Sequence, residues 1–295
     1  MAETPVFGGI ELGGTKVVAA IGRADGTLLS SRTLPTTTPH QVIDELIGYF
    51  QDQPLPIKGL GVGAFGPVVV DHTKPDYGYL LETNKPGWSG FDLAGGLAEG
   101  LNVPIHLMTD VAAAGFGEAQ FGALRDVDLG VYLTIGTGIG GAILHKGVPL
   151  PAMLHPEMGH IPLERHPADM MASTCRFHAN CAEGLAAGPA ILARFGQSLS
   201  ACPPQGRELH LIADYLGQLC AQLVLLLSPH RIVLGGGVGQ TAGLIEATHS
   251  AMLQRLGSYA SQGTANSGYL CAPTLGQRAG IIGALACANT VLGTN

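Results

Sequence analysis

The sequence predicts an α/β protein made of two similar domains, and three observations lead there. Short apolar runs alternate along the chain with stretches of helical periodicity. Glycine accounts for 44 of 295 residues beside 46% hydrophobic and only 13% charged residues, a composition that suits tight strand-to-helix turns and argues against disorder. A unit of strand, glycine/threonine turn and strand occurs twice, at 6–21 and again at 131–145, so the chain reads as a duplication. Its length is enough for a sizeable core in each half.

Taken in order, Val6 to Glu11 and Val17 to Ile21 are strands joined by Leu12-Gly-Gly-Thr-Lys16, and an Asp25-Gly26 turn leads to a third strand near Leu28 to Leu34. This is an antiparallel meander. The turn Gly13-Gly14-Thr15 gathers bare N–H groups and a hydroxyl at one point, a means of holding phosphate oxygens without a helix terminus, although an ordinary hairpin turn has the same composition. Pro39 to Phe50 has helical spacing. Gly59 to Phe65 is a strand that stops at Gly66-Pro67, and Lys85-Pro-Gly-Trp88 lies in a polar loop whose single Trp suits either a sugar-ring platform or a loop anchor. Ile105 to Thr109 is a strand running into Asp110, and Val111 to Phe121 a helix. Asp110 thus reads as a helix N-cap, as a general base at the carboxyl end of a strand, or as both.

The second hairpin joins Val131 to Ile135 with Ala142 to His145 through Gly136-Thr-Gly-Ile-Gly-Gly141, and Lys146-Gly147 repeats the place of Asp25-Gly26. The two hairpins would face a shared cleft. Although Gly136, Gly138 and Gly141 match G-x-G-x-x-G, a strand follows them where a dinucleotide site needs a helix, and Gly14-Thr15-Lys16 is not a Walker A order. Next come His155-Pro-Glu-Met-Gly-His160 and Cys175-Arg-Phe-His178-Ala-Asn-Cys181-Ala-Glu183. The compact C-x2-H-x2-C run lets three ligands converge on one ion, with His160 completing a tetrahedral N/S set suited to structural zinc; His155 or His166 would serve in place of His160. Glu157 and Glu183 flank the ligands, which would fix where they point. Among 11 His and 6 Cys, chance adjacency is the competing reading. Gly184 to Phe195, Leu209 to Leu227, Thr241 to Leu256 and Arg278 to Leu292 read as helices. Arg231 to Leu234 is a strand entering Gly235-Gly-Gly-Val-Gly239, where bare backbone suits either a flat ring or close helix–strand packing.

Net charge is −7 and basic runs are absent, which disfavours nucleic acid and anionic membranes as partners. Neither Met1 to Gly9 nor the apolar run Leu219 to Leu227 reads as a targeting or membrane segment, so a cytoplasmic protein is expected, with Cys202, Cys220, Cys271 and Cys287 as thiols.

Together, Gly9-Ile-Glu-Leu-Gly-Gly-Thr-Lys16, Asp110, Thr134 to Gly141, His155 to His160, the C-x2-H-x2-C run with Glu183, and Leu234-Gly-Gly-Gly-Val238 resemble the ROK family of sugar kinases and repressors, its bacterial fructokinases most of all. The resemblance implies an actin-like, hexokinase-type ATPase fold of two lobes, here 1–112 with 276–295 and 113–275, in a homodimer. It implies transfer of the ATP γ-phosphoryl group to the 6-hydroxyl of a hexose, D-fructose first, with glucose, mannose or an N-acetylhexosamine as alternatives. Gly13, Gly14, Thr15, Lys16, Gly136, Thr137 and Gly138 would hold ATP phosphates, and Gly235, Gly236 and Gly237 would lie near the adenosine. Asp110 would be the base; Gly66, Pro67, Glu157, His160 and Glu183 would contact the sugar; and Glu11 would hold Mg²⁺ through water. Cys175, His178, Cys181 and His160 match the zinc ligands. Glu11 replaces the common Asp, while Thr109 and Ala112 replace two Asn around the base. A sugar-responsive regulator without kinase activity would want a DNA-binding segment ahead of Val6, and a zinc hydrolase would want an open ligand position.

Overall fold

The computed structural model describes residues 5–290 and divides into two units, one of 5–122, 151–155 and 277–290, the other of 123–150 and 156–276. In the first unit, β1 (Phe7–Leu12), β2 (Lys16–Gly22) and β3 (Leu28–Pro35) form the expected meander. After α1 (Pro39–Gln51) come β4 (Leu60–Ala64), α2 (Leu93–Leu101), β5 (Ile105–Thr109) and α3 (Asp110–Phe121). The sheet order is β3-β2-β1-β4-β5, with β4 and β5 parallel to β1. Burial follows position in the sheet. All of β4 is covered on both faces, as its unbroken apolar sequence requires, whereas the edge strand β3 is polar and mostly exposed apart from Leu34. Helix α1 starts with Pro at its first turn and buries Val42, Ile43, Leu46, Tyr49 and Phe50, one apolar stripe.

Trp88 is not a sugar platform. Its ring is 1% exposed, meets Phe65 and Phe91 edge to face, and donates Nε1–H to the Thr37 carbonyl at 2.8 Å. The indole thus anchors the loop that carries it, because a buried N–H needs an acceptor and a ring of this size contributes much apolar burial.

In the second unit, β6 (Leu129–Ile135), β7 (Ile139–His145) and β8 (Val148–Pro149) are followed by α4 (Ala182–Ala186), α5 (Gly188–Phe195) and α6 (Arg207–Leu227), then β9 (Arg231–Gly235), α7 (Gly236–Gly239), α8 (Leu244–Leu256), α9 (Ser261–Thr264) and β10 (Leu270–Cys271). Sheet order is β10-β9-β6-β7-β8, with β6 to β8 antiparallel and β9 and β10 parallel to β6. Read from the meander inward, this is the order and sense of the first sheet. The repeated turn is therefore one detail of a repeated domain topology.

Two of the expected helices need correction. The helix expected over Gly184 to Phe195 is two helices, broken where Ala187 adopts an extended backbone as the N-cap of α5, whose first turn carries Pro189. Helix α8 begins at Leu244, after Gly243 in the left-handed region, and not at Thr241. The apolar run ending at Leu227 belongs to a 21-residue helix, long and apolar enough to cross a membrane, yet two-thirds of its apolar window is buried inside the protein, as in a core helix.

The last helix, α10 (Ala279–Ala288), packs on β1, β4 and α3; the end expected at Leu292 lies outside the described residues. α3 runs unbroken across residue 112, the lobe boundary expected from the sequence, because its other side is held by this helix. The approach is close. A Cβ at Gly283 would run into the Ala113 carbonyl, and one at Gly61 into that of Ala284. Gly283→Ala should therefore cost about 1–3 kcal/mol by overpacking, seen as a lower urea midpoint with an unchanged slope.

Candidate functional site

The first turn is built by local bonds that leave part of its backbone bare. Gly13 N–H donates to the Lys16 carbonyl at 3.0 Å, Thr36 Oγ1 donates to the Gly13 carbonyl at 2.7 Å, and Thr36 N–H donates to the Thr15 carbonyl at 3.0 Å. The amides of Gly14 and Thr15 take no partner among the described residues. Lys85, a residue the sequence reading passed over, crosses this turn. A Cβ built at Gly14 would stand 3.2 Å from Lys85 Cε and 3.6 Å from its Nζ. Beneath the turn, the Glu11 carboxylate lies against Gly280 and accepts the Ile281 amide at the start of α10. Burial pushes this carboxyl above its ordinary value, with Lys16 and the Ile281 amide working the other way.

Asp110 sits where β5 becomes α3, half-buried, but it is not the N-cap. That place belongs to Thr109, whose Oγ1 accepts the Ala112 N–H at 3.1 Å, while Asp110 Oδ1 accepts the Val111 N–H at 2.8 Å from the first helical position. Thr109 supplies the cap that an Asn would have supplied, so the departure from the family pattern leaves the helix start intact. Gly66 and Pro67 meet through a cis peptide at the end of β4, and the ring of His155 lies 3.2 Å from where a Cβ of Gly66 would stand. His155 therefore belongs to this corner of the first unit.

In the second unit, Gly136 N–H donates to the Gly138 carbonyl at 2.9 Å, and the amides of Thr137 and Gly138 have no partner among the described residues. The turn is tied to the metal segment at two points: Glu183 Oε2 accepts the Ile139 N–H at 3.0 Å, and the Gly136 carbonyl accepts the Gly188 N–H at 2.7 Å. One carboxylate oxygen of Glu183 is thus engaged by the turn, and a carboxylate keeps further acceptor capacity for a hydroxyl.

The ligand atoms of His160, Cys175, His178 and Cys181 all lie within 4.8 Å of one another. Cys175 Sγ is 3.8 Å from His160 Nδ1 and 3.7 Å from His178 Nδ1. A tetrahedral ion with bonds of about 2.3 Å to sulfur and about 2.05 Å to nitrogen sets neighbouring S and N about 3.6 Å apart, so the donor set fits zinc. Both thiols also receive backbone N–H groups, Phe177 to Cys175 and Gly184 to Cys181, each at 3.4 Å. Burial, then the neighbouring Cys175, pushes the Cys181 thiol up to about 11; a bound cation reverses this by taking the thiolate. His166 is not part of the group, for its Nδ1 accepts the Ala168 N–H at 3.2 Å. His160 sits in a 3₁₀ turn over Met158–His160, where its N–H donates to the carbonyl of the exposed Glu157, and Nδ1 turned to the thiol leaves Nε2 directed away from it.

A buried ion pair holds the loop that carries these ligands. Asp169 accepts Arg194 through both oxygens, at 3.0 and 2.9 Å, and Tyr215 O–H at 2.6 Å, while the paired side chains are 2% and 6% exposed. Burial alone would raise the Asp169 carboxyl, but the Arg194 and Tyr215 bonds outweigh it and hold it below its ordinary value. Its ionisation therefore stabilises the fold above about pH 4 and ceases to do so as pH falls through the lower folded value. Asp169→Ala, which leaves a buried guanidinium unpaired, should cost about 3–5 kcal/mol at neutral pH, and the deficit against wild type should shrink in urea titrations taken below about pH 3.

The third glycine run divides by role. A side chain at Gly235 would meet the Tyr132 hydroxyl, and one at Gly236, which holds φ of +81°, would meet the Ile135 backbone, whereas Gly237 has open space beside it. Gly235 and Gly236 serve close packing of β9 against β6, and Gly237 presents bare backbone.

The chain matches the ROK family over residues 7–291. It is 36% identical over 287 residues to a fructokinase of Pediococcus pentosaceus, covering 97% of this chain and 99% of that one. The identity is also 36% over 295 residues to a fructokinase of Zymomonas mobilis, covering 97% of each. The crystal structure of a ROK hexokinase from Thermus thermophilus aligns with a TM-score of 0.80 at 27% identity, covering 98% of this chain and 100% of its own. The duplicated five-stranded sheets are thus those of the actin-like, hexokinase-type ATPase fold, and the chain belongs to the ROK family.

Proposed function

We propose that this protein is an ATP-dependent hexose kinase that phosphorylates the 6-hydroxyl, with D-fructose as its first substrate. The observation that carries phosphoryl transfer is the turn found in both units, each with two amides that have no partner among the described residues. Fructose rests on the two fructokinases that match this chain over nearly its whole length. Gly13 to Lys16 and Gly136 to Gly138 take phosphate oxygens, and Gly237, with Gly235 and Gly236 behind it, lies beside the adenosine.

Phosphoryl transfer needs positioning and charge stabilisation more than covalent help. Asp110 accepts the proton of the attacking hydroxyl. Gly66, Pro67, Glu157, His160 and Glu183 take the sugar, with His160 Nε2 donating to one of its hydroxyls. Mg²⁺, when bound, would neutralise charge on the transferring phosphates, and Glu11 would hold it through water. Zinc in the Cys/His set is structural, since four protein ligands close its coordination. ATP places the enzyme in the cytoplasm, and the family resemblance supports a homodimer, which light scattering measures.

A coupled ADP-release assay over a hexose panel with ATP and Mg²⁺ tests the reading. Fructose should give the highest kcat/KM; a higher value with glucose, mannose or an N-acetylhexosamine moves the specificity within the same reaction. ADP at background with every sugar would sink the kinase and leave the sugar-binding regulator.

A further inference from the structure

We infer that Lys85 is a phosphate-binding catalytic residue, its ammonium touching the terminal phosphate held at the first glycine turn. The inference rests on the kinase reading and adds a side chain to it. Lys85 lies in a loop, yet the loop is pinned. Trp88 is buried and bonded to Thr37, the Trp88 N–H donates to the Lys85 carbonyl at 3.2 Å, and Lys85 N–H donates to Thr83 Oγ1 at 3.4 Å. Ser89 Oγ closes the loop by accepting the Thr83 N–H at 3.0 Å and donating to the Thr83 carbonyl at 3.1 Å. From this base the stem of Lys85 runs across Gly14, where the lack of a side chain lets Cε and Nζ approach the turn.

Its electrostatic state points to an anion. Lys85 is half-buried, and among the described residues it has no carboxylate partner. A partly desolvated ammonium is costly unless something negative meets it. The turn that its stem crosses carries the Gly14 and Thr15 amides, themselves without partners among the described residues, so one short turn offers two bare amides with an ammonium close by Gly14. Lys16, the other cation at this turn, acts on the Glu11 carboxylate below. A phosphate is the anion with enough oxygens for a fixed ammonium and two adjacent amides, and a cation at the transferring group stabilises charge in the transition state.

The test uses the whole enzyme. Lys85→Met keeps the stem and removes the charge; it should lower kcat with fructose and MgATP by about 10²-fold, and weaken AMPPNP in calorimetric titration, with fructose affinity and Tm unchanged. Lys85→Arg should recover part of both losses. Gly14→Ala, whose Cβ would press on Lys85 Cε at 3.2 Å, should weaken AMPPNP in the same direction. Lys85→Met within about twofold of wild type in both kcat and AMPPNP affinity overturns the inference, and so does a loss confined to fructose affinity. Wild type whose ADP release stays at background with every sugar defeats the kinase reading instead, and the AMPPNP titration still decides whether Lys85 meets phosphate.

Discussion

Asp110→Asn should turn over fructose about 10²–10⁴-fold more slowly than wild type while binding the sugar with little change. The substitution is a clean one. Asp110 follows a cap that Thr109 provides, so the helix start does not depend on its charge, and an Asn oxygen can still accept the Val111 N–H. What is lost is the ability to accept a proton from the attacking hydroxyl. The expected pattern is a fall in kcat and kcat/KM together, with an unchanged Tm and sugar dissociation constant. Near wild-type turnover removes Asp110 from the mechanism.

Loss of the metal should have the second large effect. Cys181→Ser, or chelation of the wild type, should release zinc and lower Tm by about 10 °C, because the ligands come from three places along an otherwise irregular segment and metal binding there is folding energy. Without the ion, burial pushes the Cys181 thiol up to about 11, and Cys175 Sγ meets the His160 and His178 rings only at 3.8 and 3.7 Å. His160→Ala should lose zinc and raise the fructose KM together, measured by elemental analysis beside steady-state kinetics. Full zinc content in that variant would separate His160 from the metal, and a chelated enzyme with unchanged Tm but no activity would favour a catalytic ion.

The strands, the repeated turns and the C-x2-H-x2-C spacing were legible because each depends on neighbours in sequence: period two for a half-buried strand, glycine where a turn needs bare backbone, and a short span for ligands that must meet on one ion. Asp110 could be nominated in the same way, as an acid placed just after an apolar strand. Other features were invisible for a common reason. The burial of Trp88 depends on Thr37 and Phe65, and the place of Lys85 on Gly14, all distant in sequence. The break at Ala187 serves a bond from Gly188 to Gly136, and Glu183 reaches Ile139. Lys85-Pro-Gly-Trp88 carried a faint signal, since a cation fixed three residues before a large aromatic is easy to hold in place. By itself, the sequence determined the duplicated α/β plan, the glycine turns and the metal-ligand spacing, which arise from local periodicity and chain reach. Only the tertiary structure decided which amides are left bare, which histidines join the metal group and which lysine meets the turn, because those depend on long-range packing and on where polar groups find partners once water is excluded.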